Sequence, residues 1–446
     1  MSKIVLVGAN HAGTAAVNTI LDNYSGHEVV VFDSNDNISY LGCGTALYVG
    51  KQISDTNSLF YSSKEALTKK GATVHMSTCV EDINFEQKMI KAVTKDAQEI
   101  EESYDKLILA TGSAPVKPKI PGTDLAGVHF VKLFQDGVKI DKMLNDPEVK
   151  SVAVVGAGYI GVEIAEAVQR RNKKSLLFDI EDGCLKGYFD KEFTSDMDKV
   201  MQKGGIELHY GEHITEICSV DGVKVSSVVT AKDEYAVDMV ILSVGFMPRT
   251  EAAGGKLALG VNNAFEVNKK QQTSNPDVYA IGDCATLYNN AKKAQDYIAL
   301  ATNAVRSGIV AGHNVCGTEI ESAGVQGSNG ICIYDYKMFS TGLTLESAQK
   351  QGIDAMCVDH EDMQKPEFIK DNNGIVKIRI VYDKISRRIL GAQIASYLDV
   401  SMGIHLFSLA IAKEFTINEL PLLDIFFMPH FNRPFNYITV AGLLAK

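Results

Sequence analysis

One short pattern is written twice in this chain, and it decides most of what the chain can fold into. The apolar run Ile4-Val5-Leu6-Val7 stops at Gly8, and Val152-Ala153-Val154-Val155 stops in the same way at Gly156. A helical pattern follows each glycine turn, from Gly13 to about Asn23 and from Gly161 to about Arg171. Each helix leads into a second apolar strand that closes on a carboxylate, Val29-Val30-Val31-Phe32-Asp33 and Ser175-Leu176-Leu177-Phe178-Asp179. Continuous apolar strands alternating with helices belong to parallel sheets covered on both faces. The sequence therefore predicts two βαβ units whose glycine turns lie 156 − 8 = 148 positions apart.

The second turn is complete, Gly156-Ala157-Gly158-Tyr159-Ile160-Gly161. Gly156 permits the tight turn, Gly158 lets the backbone approach a pyrophosphate, and Gly161 allows close packing of helix on sheet. The helix N-terminus attracts the phosphates. Asp179 closes the next strand, where a carboxylate accepts from both ribose hydroxyls and repels a 2′-phosphate, so NADH is expected rather than NADPH. The first turn is altered, Gly8-Ala9-Asn10-His11-Ala12-Gly13, with Asn10 at the middle position and Asp33 at the expected offset. It reads either as a second dinucleotide site or as an ordinary helix entry with Asn10 as its cap. Two dinucleotide units in one chain suggest two dinucleotides, and a flavin beside a nicotinamide is the commonest reason to need both.

Three further strand-to-glycine shapes follow: Tyr104 to Ser113, Met239 to Gly245 and Val278 to Asp283. Pro115, Pro118 and Pro121 mark an irregular crossover after the first of them. From about residue 323 the texture changes to half-buried alternation, as in Val376 to Tyr382, which reads as a separate α+β domain with a helix-rich tail.

With 446 residues, 46% of them hydrophobic, the chain is too long for one core. Its net charge of −11 disfavours nucleic acid and offers no basic patch to a membrane surface. No apolar run approaches the ~18 residues needed to span a bilayer, and no leader pattern opens the sequence, so a cytoplasmic protein is expected. Eight cysteines are scattered, with no Cys-x-x-Cys, and no metal site is written. Scattered cysteines of this kind are usually buried and inert. Cys43 stands out because glycines flank it in Leu41-Gly42-Cys43-Gly44-Thr45. If the chain turns helical at Thr45, a helix N-terminus lowers the thiol pKa. The residues alone leave open a reactive thiol or a cysteine in a tight turn. They equally leave His11 as a catalytic group or a helix-start surface residue.

Gly8-x-x-His11-x-Gly13, the lone Cys43, Ala110-Thr111-Gly112, the second glycine turn and Gly282-Asp283 together resemble the pyridine nucleotide–disulfide oxidoreductases. They resemble most the single-cysteine branch of NADH oxidases, NADH peroxidases and coenzyme A-disulfide reductases. The first glycine turn, Leu41 to Gly44 and the tail Phe426 to Pro434 look most like the water-forming oxidases. The resemblance implies an α/β, glutathione reductase-like fold of two Rossmann-like domains with a C-terminal α+β dimerisation domain. The FAD domain would comprise residues 1–116 and 250–322, the NADH domain 117–249, and the dimerisation domain 323–446.

The resemblance also implies roles. FAD would lie along Gly8, Asn10, His11, Ala12 and Gly13, with its adenosine ribose on Asp33, Val80 beside the adenine and the Cys43 sulfur against its ring. Ala110, Ser113 and Lys132 would flank it, Asp283 would hold the ribityl chain, and Ala299, Leu300 and Ala301 would face the ring. NADH would lie on Gly156, Gly158, Ile160, Gly161 and Asp179, with Tyr188 and Gly245 as further contacts. Tyr159 would cover the flavin until the nicotinamide displaces it. The chain would form a homodimer, with Phe427 approaching the partner subunit's flavin. Two NADH and one O2 would give two water by way of a flavin peroxide and a Cys43 sulfenic acid, with His11 assisting proton transfer. No second cysteine follows Cys43 closely, so a dithiol mechanism is not expected. An NADH peroxidase acting on hydrogen peroxide needs the same residues. A coenzyme A-disulfide reductase is disfavoured by Phe426 and Phe427, where that branch carries tyrosines. A redox-sensing NADH-binding flavoprotein would turn over negligibly.

Overall fold

The computed structural model describes residues 2–446, so residue 1 of the expected 1–116 segment lies outside it. Each glycine turn sits at the carboxyl end of the middle strand of a five-stranded parallel sheet. In the first sheet the order is Val278–Ala280, Lys106–Leu109, Lys3–Val7, Glu28–Phe32, Thr73–His75. In the second it is Met239–Leu242 and Lys174–Asp179 on either side of Ser151–Val155, with Val128–Phe130 and Glu207–Tyr210 outermost. Both sheets carry a three-stranded antiparallel insert before their last inner strand, Thr78–Asn84 to Glu99–Ser103 in one and Ile214–Cys218 to Glu234–Ala236 in the other. The duplication read from two turns thus extends to the whole topology.

The turns themselves explain why glycine recurs. Gly8 and Gly156 have φ of +101° and +99°. A Cβ on Gly13 would stand 2.0 Å from the Gly8 carbonyl oxygen, and one on Gly161 would stand 1.7 Å from that of Gly156. Gly158 differs, because its backbone is extended and nothing lies within 4 Å of a Cβ there. The middle position is therefore free of steric demand within the protein, which is why Asn10 fits at the same place in the first turn with φ −79°. Gly161→Ala is accordingly expected to cost about 3 kcal/mol through forced displacement of the turn. Gly158→Ala is expected to leave stability unchanged, and thermal unfolding of the two variants checks the contrast.

The observed helices begin two residues earlier than the sequence suggests, at His11–Asn23 and Tyr159–Arg170, because the chain turns helical directly after the middle position of each motif. The first packs against Ala301–Val315. Cβ atoms on Gly308 and Gly312 would meet the Ala12 oxygen at 2.3 Å and Thr19 at 2.8 Å, so the two helices lie backbone to backbone.

The C-terminal part is a five-stranded antiparallel sheet in the order Asn329–Ile333, Tyr336–Gly342, Ile389–Ser396, Ile375–Asp383, Ala355–Met363. The expected strand Val376–Tyr382 lies within the fourth of these. Helices Ser401–Ala412 and Tyr437–Leu444 follow, but the tail between them, with Phe426 to Pro434, is irregular rather than helical. This sheet is tied to the second parallel unit by buried polar groups. The Asp190 N–H donates to the Gln393 side-chain oxygen at 2.8 Å, and the Gln393 amide donates back to the Asp190 carboxylate at 2.6 Å. Arg379, itself buried, pairs with Asp190 and Glu192.

Candidate active site

A groove of about 550 Å³ opens over the carboxyl ends of the first sheet. The first glycine turn forms its floor. The Asp33 carboxylate crosses from the neighbouring strand and accepts from Ala9 N–H at 2.6 Å and Asn35 N–H at 2.8 Å. Burial pushes that carboxyl up from its ordinary pKa, opposed by these two hydrogen bonds. The second turn repeats the arrangement, with Asp179 accepting from Ala157 N–H at 2.5 Å and Glu181 N–H at 2.8 Å. Asn10 stands at the N-cap position without making a side-chain cap bond, and no acidic residue occupies the first helical turn. The expected alternative of Asn10 as a cap is therefore not what the structure contains. The first N–H groups of a 13-residue helix face the groove instead, as an anion-binding helix start requires.

At the other end of the groove the chain gathers three residues that lie far apart in sequence. Lys132 Nζ donates to Ser113 Oγ at 2.8 Å and to Asp283 Oδ2 at 3.1 Å, and Ser113 Oγ donates to the same carboxylate at 2.8 Å. Gly8, Asn10, His11, Ala12, Asp33, Val80, Ala110, Ser113, Lys132 and Asp283 all line this groove. Gly13 lies just behind it, closing the turn. Ala299, Leu300 and Ala301 sit at the start of the helix Ala301–Val315, and the groove is reached one turn later, by Ala304. Sequence reading missed Ala304 and Arg249. Arg249 lines the groove, bonds through its backbone to the Ala110–Gly112 turn, and acts on the Asp33 carboxyl. No local motif marks it.

Cys43 lies in the single 3₁₀ turn Gly42–Gly44, ahead of the five-residue helix Thr45–Val49. It lines a second cavity, of about 600 Å³, between that helix, the helix Tyr159–Arg170 and the C-terminal sheet. The helix start does not lower its pKa as expected. Although Cys43 is exposed at the cavity wall, the atoms around it desolvate the thiol and push its pKa up, Glu163 and Asp283 add to this, and only the Lys132 charge and a backbone hydrogen bond oppose it. A five-residue helix has too few aligned peptides to outweigh desolvation. Of the eight cysteines only Cys184 and Cys284 are fully buried, so the expectation of mostly buried thiols also fails.

His11 projects into the groove. Its Nδ1 is within hydrogen-bond distance of the Tyr61 hydroxyl at 3.0 Å, and the two rings stack. Burial lowers its pKa, with Asp283 and Lys132 acting in opposite senses, so the imidazole is neutral at neutral pH. No hydrogen bond joins His11 to Cys43 among the described residues. What the two share is the Lys132–Asp283 pair, whose charges act on both. Glu163, also unforeseen, faces the same cavity as Cys43, and burial together with Glu166 pushes its carboxyl up to about 7.

Tyr159 begins the second helix. Its ring meets Tyr188 edge-on at 4.8 Å, and its hydroxyl donates to the Asn329 side-chain oxygen on the C-terminal sheet. Gly245 has φ +106° and its carbonyl accepts from Val116 N–H at 2.9 Å. Phe427 lies half exposed on the surface, in neither cavity.

Residues 2–308 match the pyridine nucleotide-disulphide oxidoreductase family model, and residues 329–437 match the dimerisation domain of the same family. The chain is 54% identical to a protein named NADH oxidase from Streptococcus pyogenes serotype M6, with 100% of both chains covered. The same identity and coverage hold for an NADH oxidase of Lactococcus lactis subsp. cremoris. Among solved structures, the water-forming NADH oxidase from Lactobacillus brevis bound to NADH superposes with a TM-score of 0.96 at 38% identity, covering 99% of this chain and 98% of that one.

Proposed function

The chain belongs to the pyridine nucleotide-disulphide oxidoreductase family, and from that premise we propose that it is an FAD-dependent NADH oxidase that reduces O2 to water. Whole-length identity of 54% to proteins named NADH oxidase carries this reading. The structure supports it through one lone thiol, Cys43, which lines the neighbouring cavity and feels the Lys132 and Asp283 charges at the end of the dinucleotide-shaped groove.

The groove fits FAD. Uncapped N–H groups at the start of His11–Asn23 suit a pyrophosphate, Asp33 suits a ribose, and the Lys132–Ser113–Asp283 cluster suits the hydroxylated chain that leads to the ring. NADH is assigned to the second glycine turn and Asp179. When bound, FAD supplies the two-electron chemistry that takes hydride from NADH and passes electrons to oxygen.

The residues of the chain do the rest. The Cys43 thiolate attacks hydrogen peroxide formed in the site. The O–O bond breaks, an S–O bond forms, and hydroxide leaves, taking up a proton to give the first water. Two further electrons, from a second NADH, break the S–O bond. The sulfur returns to thiolate and the oxygen leaves as the second water with one proton from solvent. His11, neutral and fixed by Tyr61, donates a hydrogen bond toward the oxygen being displaced.

Two copies are proposed to pair through the C-terminal domain, whose tail exposes Phe426, Phe427, Met428, Phe431 and Phe435. Phe427 then reaches the partner subunit's groove. No helix among the described residues is long and apolar enough to cross a membrane, and action in the cytoplasm is proposed.

The test is the stoichiometry of purified holoenzyme. One O2 is expected to disappear for every two NADH, and catalase is expected to change nothing. NADH loss that requires added peroxide and consumes no oxygen would replace the oxidase with a peroxidase.

A further inference from the structure

The cavity that reaches Cys43 is walled on one side by the second nucleotide unit, through Glu163 and Glu166, and on the other by Ser328, Asn329 and Gly330 of the C-terminal sheet. A dinucleotide lying on the second glycine turn must send its reactive ring past the start of the helix Tyr159–Arg170 to enter this space. Tyr159 stands at that point, and its hydroxyl is held by Asn329.

The Asn329 amide is bonded through both its nitrogen and its oxygen, and its orientation follows from its partners. Its nitrogen donates to the Gly327 carbonyl at 2.6 Å, and its oxygen accepts from Ser340 Oγ at 3.0 Å and from Tyr159. Burial keeps the Tyr159 hydroxyl protonated far above its ordinary range, so it remains a donor at any working pH. Two of the three bonds are internal to the C-terminal sheet and its lead-in segment. Only the bond to Tyr159 is made to a different unit. If Tyr159 swings away, Asn329 stays aimed by Gly327 and Ser340, and the lone pair that accepted from Tyr159 is left free. An amide N–H can replace the phenolic O–H there at little net cost, because one neutral hydrogen bond replaces another.

We propose that Asn329 is an exchange acceptor, holding the Tyr159 hydroxyl in the arrangement seen here and taking the carboxamide N–H of nicotinamide when that ring enters the cavity. Asn329 is thereby a specificity residue supplied by the C-terminal domain to a substrate bound on the second unit. Its role rests on the reading of NADH as substrate.

The experiment is isothermal titration of the oxidised holoenzyme with NAD+ and with 3-acetylpyridine adenine dinucleotide, whose methyl ketone offers no N–H. The wild-type protein is expected to prefer NAD+ by about tenfold. In Asn329→Ala the preference is expected to fall to within about twofold. Tyr159→Phe removes the bond to be displaced but leaves the acceptor, so both nucleotides are expected to bind several-fold tighter with the preference intact. Full wild-type preference in Asn329→Ala overturns the proposal. If that variant does not fold, Tyr159→Phe decides, and unchanged affinity for both nucleotides overturns it. A wild-type protein that binds neither nucleotide overturns the NADH reading itself, an outcome visible before any variant is made.

Discussion

Cys43→Ser is expected to convert the reaction from water formation to peroxide formation, while NADH and O2 continue to be consumed. The first two-electron step needs no sulfur, since the groove and the second glycine turn are untouched by this change. On the proposed mechanism, what is lost is the group that captures peroxide before it diffuses out, because a serine hydroxyl has no oxidation step equivalent to thiol to sulfenic acid. About one H2O2 per NADH is expected, against none in the parent protein, with O2 uptake per NADH doubled until catalase is added. Neighbouring sulfur does not rescue the variant. Cys332 is the one other thiol lining that cavity, and burial raises its pKa too. A peroxide electrode or a coupled peroxidase dye reads the result, and water as sole product would remove Cys43 from the chemistry. The elevated pKa of Cys43 gives the same experiment a second use. In the parent protein the peroxide-trapping form is thiolate, so trapping weakens as pH falls and any leak of peroxide is larger on the acid side.

The other large effect is expected at Asp179. Its carboxylate is aimed by two backbone N–H groups, from Ala157 and Glu181, at the end of the strand Lys174–Asp179. There it can accept from both hydroxyls of an adenosine ribose. A 2′-phosphate would bring like charge to within about 4 Å, which costs several kcal/mol at an effective dielectric near 20. Asp179→Asn keeps the shape and removes the charge. The ratio of kcat/KM for NADPH over that for NADH is expected to rise by about 100-fold or more, partly through a roughly tenfold loss with NADH. Steady-state rates with both nucleotides measure it. An unchanged ratio would show that selectivity resides elsewhere on the second unit.

The features legible in the sequence are those set by contacts between near neighbours in the chain. Gly8, Gly13, Gly156 and Gly161 are written as glycine because a Cβ has nowhere to go, and Asp33 and Asp179 appear at fixed distances because a strand and a helix have fixed lengths. Long-range meetings are not legible in the local pattern, and only the resemblance set Ser113, Lys132 and Asp283 around one ligand. Lys132, Ser113 and Asp283 converge from positions up to 170 residues apart, Tyr61 arrives at His11 from another loop, and Asn329 reaches Tyr159 from a different sheet. No periodicity encodes such pairs. The protonation of Cys43 was misread for a related reason. A helix start is a local signal, whereas the burial and the Glu163 carboxylate that oppose it are supplied by the packed fold.

The buried exchange of hydrogen bonds between Asp190 and Gln393, reinforced by Arg379, has a mechanical outcome. Prising the second parallel unit from the antiparallel sheet would break all of these contacts together, each worth about 1 to 3 kcal/mol net once the separated groups are hydrated. Jaw-like opening is therefore disfavoured as a way of admitting a reductant. On the proposed role of Asn329, entry calls for the smaller movement of one phenol ring, that of Tyr159.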